Sequence, residues 1–174
     1  MTESTGGKFL YETVTARVAS QAADYAALSG RSKDLIGLAT ITSTVMGVLA
    51  NERLVNLTKM RRVPASYSIV AVASLILVLG PGLFVLWPRK WHLSPSPEDA
   101  LATVNAHPTW PTDSYYATLA TGFVNRGVVD AKLNALEVND RNIARIRWAV
   151  LAQIGGLSAL AVSGLALTLH ASHP

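Results

Sequence analysis

The chain has 174 residues (18.5 kDa), half of them apolar and only 15% charged, with a mean hydropathy of +0.31. Soluble domains carry about 25% charge, so this balance argues against an ordinary cytosolic enzyme, and the length argues for one domain. Cysteine is absent, which excludes disulfide frameworks, thiolate zinc sites and cysteine nucleophiles. Fifteen Lys and Arg against eleven Asp and Glu leave a charge of +4, whose meaning depends on where the charges lie.

Residues 1–34 hold no apolar stretch of the signal-peptide kind, so no cleaved leader is expected. Leu10, Val14, Val18, Gln21, Tyr25 and Leu28 recur at helical spacing among Lys8, Glu12, Arg17 and Asp24. That pattern predicts an amphipathic helix of about five turns, with Gly30 as its stop signal.

Residues 35–50 (Leu35 to Ala50) are free of charge but number only sixteen. At 1.5 Å per residue they cover roughly 24 Å, short of the ~30 Å hydrocarbon core. Gly37, Thr40, Thr42, Ser43, Thr44 and Gly47 are the small and hydroxylated residues that let membrane helices approach closely. A first transmembrane helix is expected here, lengthened through Asn51 and Glu52 into a connecting loop over 51–67.

Residues 68–88 form the clearest span. From Ser68 to Trp87 fifteen of twenty residues are apolar and none is charged. The twelve Leu, Ile, Val and Phe side chains contribute roughly −4 to −7 kcal/mol of insertion free energy. Gly80-Pro81-Gly82 interrupts the run, and a kink or break is expected where Pro81 cannot donate to Leu77. Trp87 and Trp91 bracket Pro88-Arg89-Lys90, an aromatic and basic anchor for the membrane interface.

A helical segment occupies 89–147. Ser96-Pro97-Glu98-Asp99 reads as a helix start, with a Ser cap, Pro in the first turn and acids at the positive end of the dipole. This helix should reach about Ala106, before His107-Pro108-Thr109-Trp110-Pro111 breaks the chain. Asp113 is expected to cap the next helix, which carries Tyr116, Leu119, Phe123, Leu133, Leu136, Ile143 and Ile146. Gly122 and Gly127 are candidate interruptions, and nothing stops the later part before Trp148. Residues 148–169 are a third uncharged run, followed by a tail over 170–174. Gly155, Ala159 and Ser163 form a small-residue stripe with Ala152 and Gly156 beside it. Such a stripe serves either contact between copies or packing within one three-helix protomer. The expected fold is therefore an all-α membrane protein: an N-terminal amphipathic helix, three transmembrane helices, and a small helical cytosolic segment between the second and third.

The basic residues orient this arrangement. With the N-terminus in the cytosol, eleven of the fifteen fall inside, and Arg53, Lys59, Arg61 and Arg62 fall outside. Dropping the first span leaves eight against seven, which is no bias. The positive-inside rule thus favours three spans, N-in and C-out, and gives no reason to invoke DNA or RNA. The basic cluster at 53–62 fits an interfacial piece whose side chains snorkel to headgroups.

Catalytic patterns are missing. His92, His107, His170 and His173 lack metal-ligand spacing beside acids. No phosphate loop, dinucleotide fingerprint or nucleophile elbow occurs. Asp34 and Glu52 flank the first run, so no ionisable residue inside a span marks an ion pathway. A non-catalytic protein without metal or cofactor is expected. Arg141 and Arg145 share a helix face at i, i+4, near Lys132, Glu137 and Asp140. They either fix orientation or contact a phosphate or other anion at the membrane surface.

The order of these features resembles the small membrane effectors of bacterial pyrimidine-cyclase (Pycsar) anti-phage systems. An amphipathic helix ends in Gly30-Arg31-Ser32-Lys33-Asp34-Leu35, similar to that family's D-(T/S)-K-A approach to a short first span. Asp34 stands where the family usually has Ala. A second span leaves through Leu86-Trp87-Pro88-Arg89, similar to its L-R-P-R exit, and an Arg-rich helix leads into a last span. The resemblance covers almost the whole chain and implies an inner-membrane effector that responds to cCMP or cUMP from a partner cyclase. Its implied outcome is impaired membrane integrity and abortive infection, with a homo-oligomer as the acting form. On that basis Arg126, Lys132, Arg141 and Arg145 are candidates for phosphate contact, and Tyr115 or Tyr116 for base stacking. The competing readings are an accessory subunit of a membrane complex and a holin-like pore former.

Overall fold

The computed structural model describes residues 6–55, 65–89, 91, 97–125 and 135–172. These are all-helical, with no strand among them: α1 (Gly6–Val55), α2 (Ala65–Leu86), α3 (Pro97–Ala106), α4 (Thr112–Asn125) and α5 (Ala135–Ser172). The basic residues Lys59, Arg61 and Arg62, together with Lys90, Arg126 and Lys132, lie outside the described residues.

The N-terminal helix departs from expectation. It does not stop at Gly30 but runs unbroken for 50 residues. A mid-helix Gly costs about 1 kcal/mol relative to Ala, and no Pro follows to enforce a stop. Buried Val14, Val18, Gln21, Leu28, Ser32 and Ala39 fall at intervals of three, four and seven. One packing stripe therefore continues through Gly30, and its burial outweighs the local glycine penalty.

The membrane-span count also departs. Among the described residues two helices are long and apolar enough to cross a membrane, not three: Ile69–Leu86 in α2, and a stretch of α5 within Ala135–Ala166. The 35–50 run falls short because its sixteen residues are diluted by hydroxyls and stand between Asp34 and Glu52. Its hydroxyls bond back onto their own helix, Thr40 to the Ile36 carbonyl and Thr44 to the Thr40 carbonyl, at 2.9 Å each.

Pro81 lies inside α2 without ending it. α3 opens at Pro97 and ends at Ala106, as its start and stop signals require. Gly122 leaves α4 intact, and α5 runs without interruption from the charged approach into the third apolar run.

The chain divides into two compact units. The first comprises Met1–Ala26 and Pro88–Arg145. Its core is Val14 and Val18 of α1 against Ala120 of α4 and Ala135 of α5, with Tyr11, Val124 and Leu136 packed around them. Asp113 departs from its expected role as the cap of α4. It lies in the first turn of that helix and accepts the Lys8 backbone N–H at 2.9 Å, satisfying one of the orphan donors at the start of α1. Gly7 makes this approach possible, because a Cβ there would stand 2.2 Å from the Asp113 carbonyl oxygen.

The second unit comprises Ala27–Trp87 and Ile146–Pro174. Ala39 of α1, Val78 of α2 and Leu160 of α5 form its core, with Met46, Ala71 and Leu157 against them. Leu28, Val85, Ile146 and Val150 are buried as well, together with the polar Ser32, Ser74, Gln153 and Ser163. Large side chains also face outward, with Ile41, Ile76, Leu83 and Val162 each more than 60% exposed.

Candidate functional site

Arg141 and Arg145 stand one turn apart on α5 and are both exposed. Their neighbours hold a polar clasp in the first unit. The Gln21 amide of α1 donates to the Leu136 carbonyl at 3.0 Å and to Asp140 Oδ1 at 2.8 Å. Its own oxygen accepts from Asn139 Nδ2 at 3.1 Å. Arg17 closes the set on Asp140 Oδ2 at 3.0 Å. Gln21 and Asn139 are buried, so every donor and acceptor that Gln21 brings inside is matched. Gln21 fell within the apolar stripe of the sequence pattern. Its amide was the visible sign that this stripe meets a polar surface.

The two candidate stacking tyrosines are half-buried and engaged within the protein. Tyr115 donates its hydroxyl to the His107 carbonyl and lies beside Trp110, ring centroids 6.0 Å apart. Trp110 in turn stacks in parallel on His107 at 3.7 Å. Tyr116 packs on Tyr11 of α1 at 5.3 Å. Both tyrosines therefore hold the α3–α4 connection and α4 in place.

A second group, unassigned from sequence beyond an interface anchor, lies near the start of the 88–145 segment. The Trp91 ring packs on Tyr25 of α1 with centroids 4.6 Å apart and a 45° tilt. The Trp91 indole N–H is buried with no hydrogen-bond partner; an unmade buried donor costs about 1–3 kcal/mol. Arg89 is half-buried. Burial pushes its pKa below the ordinary guanidinium value, Tyr25 opposes that, and the positive charge of Arg145 adds to it.

In the second unit the small-residue stripe of α5 divides. Ser163 is buried and Ala159 half-buried, but Gly155 is exposed, and a Cβ placed there would meet nothing within 4 Å. Its neighbour Gly156 carries the close approach instead. A Cβ at Gly156 would meet Leu77 Cβ at 2.9 Å and the Ser74 carbonyl at 3.0 Å. One turn earlier Gln153, fully buried, donates to the Val78 carbonyl of α2 at 3.1 Å. That bond falls next to the Leu77 carbonyl, which Pro81 deprives of its helical donor. Gly82 makes room for it, since a Cβ there would lie 2.7 Å from Gln153 Nε2. Gln153 is the only amide side chain in the run 148–169 and could have been singled out for that reason.

Comparison with known proteins adds no relative. No family model, curated protein or solved structure matches this chain.

Proposed function

We propose that the protein is a membrane effector: its second unit lies in the bilayer, and its first unit, in the cytosol, senses a cyclic pyrimidine nucleotide. The observation that carries the membrane half is the apolar outer surface of the second unit. Soluble monomers rarely expose contiguous apolar patches beyond a few hundred Å², yet Leu83, Val162, Ile76 and Ile41 are all exposed here. Lipid removes the cost of that surface and rewards close packing at Gly82, Gly156 and Gly164. On this reading residues 35–50 accompany the two longer spans through the apolar layer, as their packing of Ala39 and Met46 on Val78 and Leu160 supports. The N-terminus is then cytosolic in the inner membrane, as the distribution of Lys and Arg supports.

The sensing half rests on the resemblance to Pycsar effectors. Binding of cCMP or cUMP shifts association between copies towards a packing that breaches the bilayer. The test is release of a trapped dye from liposomes holding the purified chain. Release on adding cCMP or cUMP, and none with cAMP, is expected. Nucleotide-independent release favours a holin-like pore, and no release at any nucleotide removes the effector reading. The outward Gly155 favours one further reading, an accessory subunit docking through that face; it predicts a co-purifying membrane partner and no toxicity on induction.

A further inference from the structure

Five exposed residues of the second unit fall at one end of its helices: Arg31 and Lys33 on α1, Trp87 just past α2, and Arg147 and Trp148 on α5. Contacts between the helices fix that level. A Cβ at Gly82 of α2 would stand 2.7 Å from both Ile36 of α1 and Gln153 of α5. A Cβ at Gly156 would meet Ser74, Leu77 and Val78 of α2, and one at Gly164 would meet Met46 of α1. The course of α5 from Gln153 to Gly164 therefore runs with α1, from Ile36 to Met46, and against α2. At 1.5 Å per residue the five backbone positions lie about 4–9 Å beyond the Gly82 level, all in the same direction. Three cations stand at this end against the carboxylate of Asp34, and both tryptophans are more than two-thirds exposed. The opposite ends of α2 and α5, residues 65–68 and 165–172, carry neither Lys nor Arg. An exposed indole is most stable where its ring meets hydrocarbon and its N–H meets water, which is the headgroup level of a bilayer. Basic side chains at that depth reach phosphates, and their net positive charge favours anionic lipids over zwitterionic ones.

We propose that Arg31, Lys33 and Arg147, with Trp87 and Trp148 among them, form an interfacial belt that recruits anionic phospholipid. The belt rests on the membrane reading of the second unit and names its lipid partner; it does not depend on nucleotide sensing. The two indoles set the depth of this end of the unit. The three cations supply the selectivity, because each is drawn to a negatively charged leaflet and the attraction is screened by salt.

The test uses the full chain reconstituted in phosphatidylcholine vesicles that contain brominated phosphatidylcholine or brominated phosphatidylglycerol, with quenching of tryptophan fluorescence as the readout. The quenching that disappears in W87F/W148F belongs to the two belt indoles. In the parent chain that share should reach half its maximum at a mole fraction of phosphatidylglycerol about threefold to tenfold below that of phosphatidylcholine. The preference should vanish in R31Q/K33Q/R147Q, and in the parent chain at high salt. Helical circular dichroism is the folding control. The single variants R31Q and K33Q stand in if the triple variant misfolds, each lowering the preference by about twofold to fivefold. Equal quenching by the two lipids in the parent chain overturns the belt and leaves the membrane reading standing. A preference that survives in all the charge variants also overturns it, because the selectivity then comes from other residues. No quenching of Trp87 or Trp148 by either lipid overturns both the belt and the membrane reading.

Discussion

The two units share helices α1 and α5 but treat their outer surfaces differently. In the first, apolar Val14, Val18 and Ala120 are inside, and the polar partners of Gln21 are matched one by one. In the second, large apolar side chains also cover the outside, and Gly82, Gly156, Ser74, Ser163 and Gln153 sit in the interior beside Val78, Val85, Ile146 and Leu160. Each arrangement is stable only in its own solvent. Water drives apolar groups inward and makes every buried polar group require a partner. Lipid gives no reward for burying Leu, so close backbone approach and interhelical hydrogen bonds hold the helices together. Helices α1 and α5 each contribute to both units, and α1 does so by running unbroken past Gly30.

The contrast can be broken from either side. The largest effect is expected at Gln21. Gln21→Leu removes the buried bond from Asn139 and the two bonds to Leu136 and Asp140, costing about 2–4 kcal/mol. Thermal unfolding in detergent should report it as a clear drop in Tm. Next comes the pair Gly156 and Gly155. Gly156→Ala forces contacts at 2.9–3.0 Å and should cost about 1–3 kcal/mol. Gly155→Ala meets nothing and should be neutral or stabilise by up to about 1 kcal/mol. Equal effects of the two in the same melting assay would show that α5 packs in a different register. The smallest effect is expected at Arg17→Ala. Its ion pair with Asp140 is 59% and 45% exposed, so the loss should stay below about 1 kcal/mol and shrink further in salt.

Much of this organisation was legible in the residues. Pro97 and the acids after it marked the start of α3, and the uncharged run after Ser68 marked α2, because those signals are local. Gly30 misled because a glycine is only a weak stop when a packing stripe continues across it. The 35–50 run falls below the two longer spans in apolar content because of its hydroxyls, which bond within their own helix. In α5 the choice between Gly155 and Gly156 depended on which face meets α2, and a run apolar on all sides does not encode that. The interactions of Tyr115 with His107, and of Trp91 with Tyr25, join residues far apart in their helices or on an irregular stretch. Only the tertiary arrangement brings them together.

The outward face of the second unit is the central claim, and the chain's lack of cysteine makes it directly measurable. Single cysteines at Leu83 and Val162, both 66% exposed, and at Ala23 of the first unit can be probed with a water-soluble maleimide in permeabilised native membranes. Rapid labelling at Ala23 with protection at Leu83 and Val162, lost only on full denaturation, is the predicted result. Labelling of Leu83 and Val162 as fast as Ala23 would place that apolar surface in water and contradict the account.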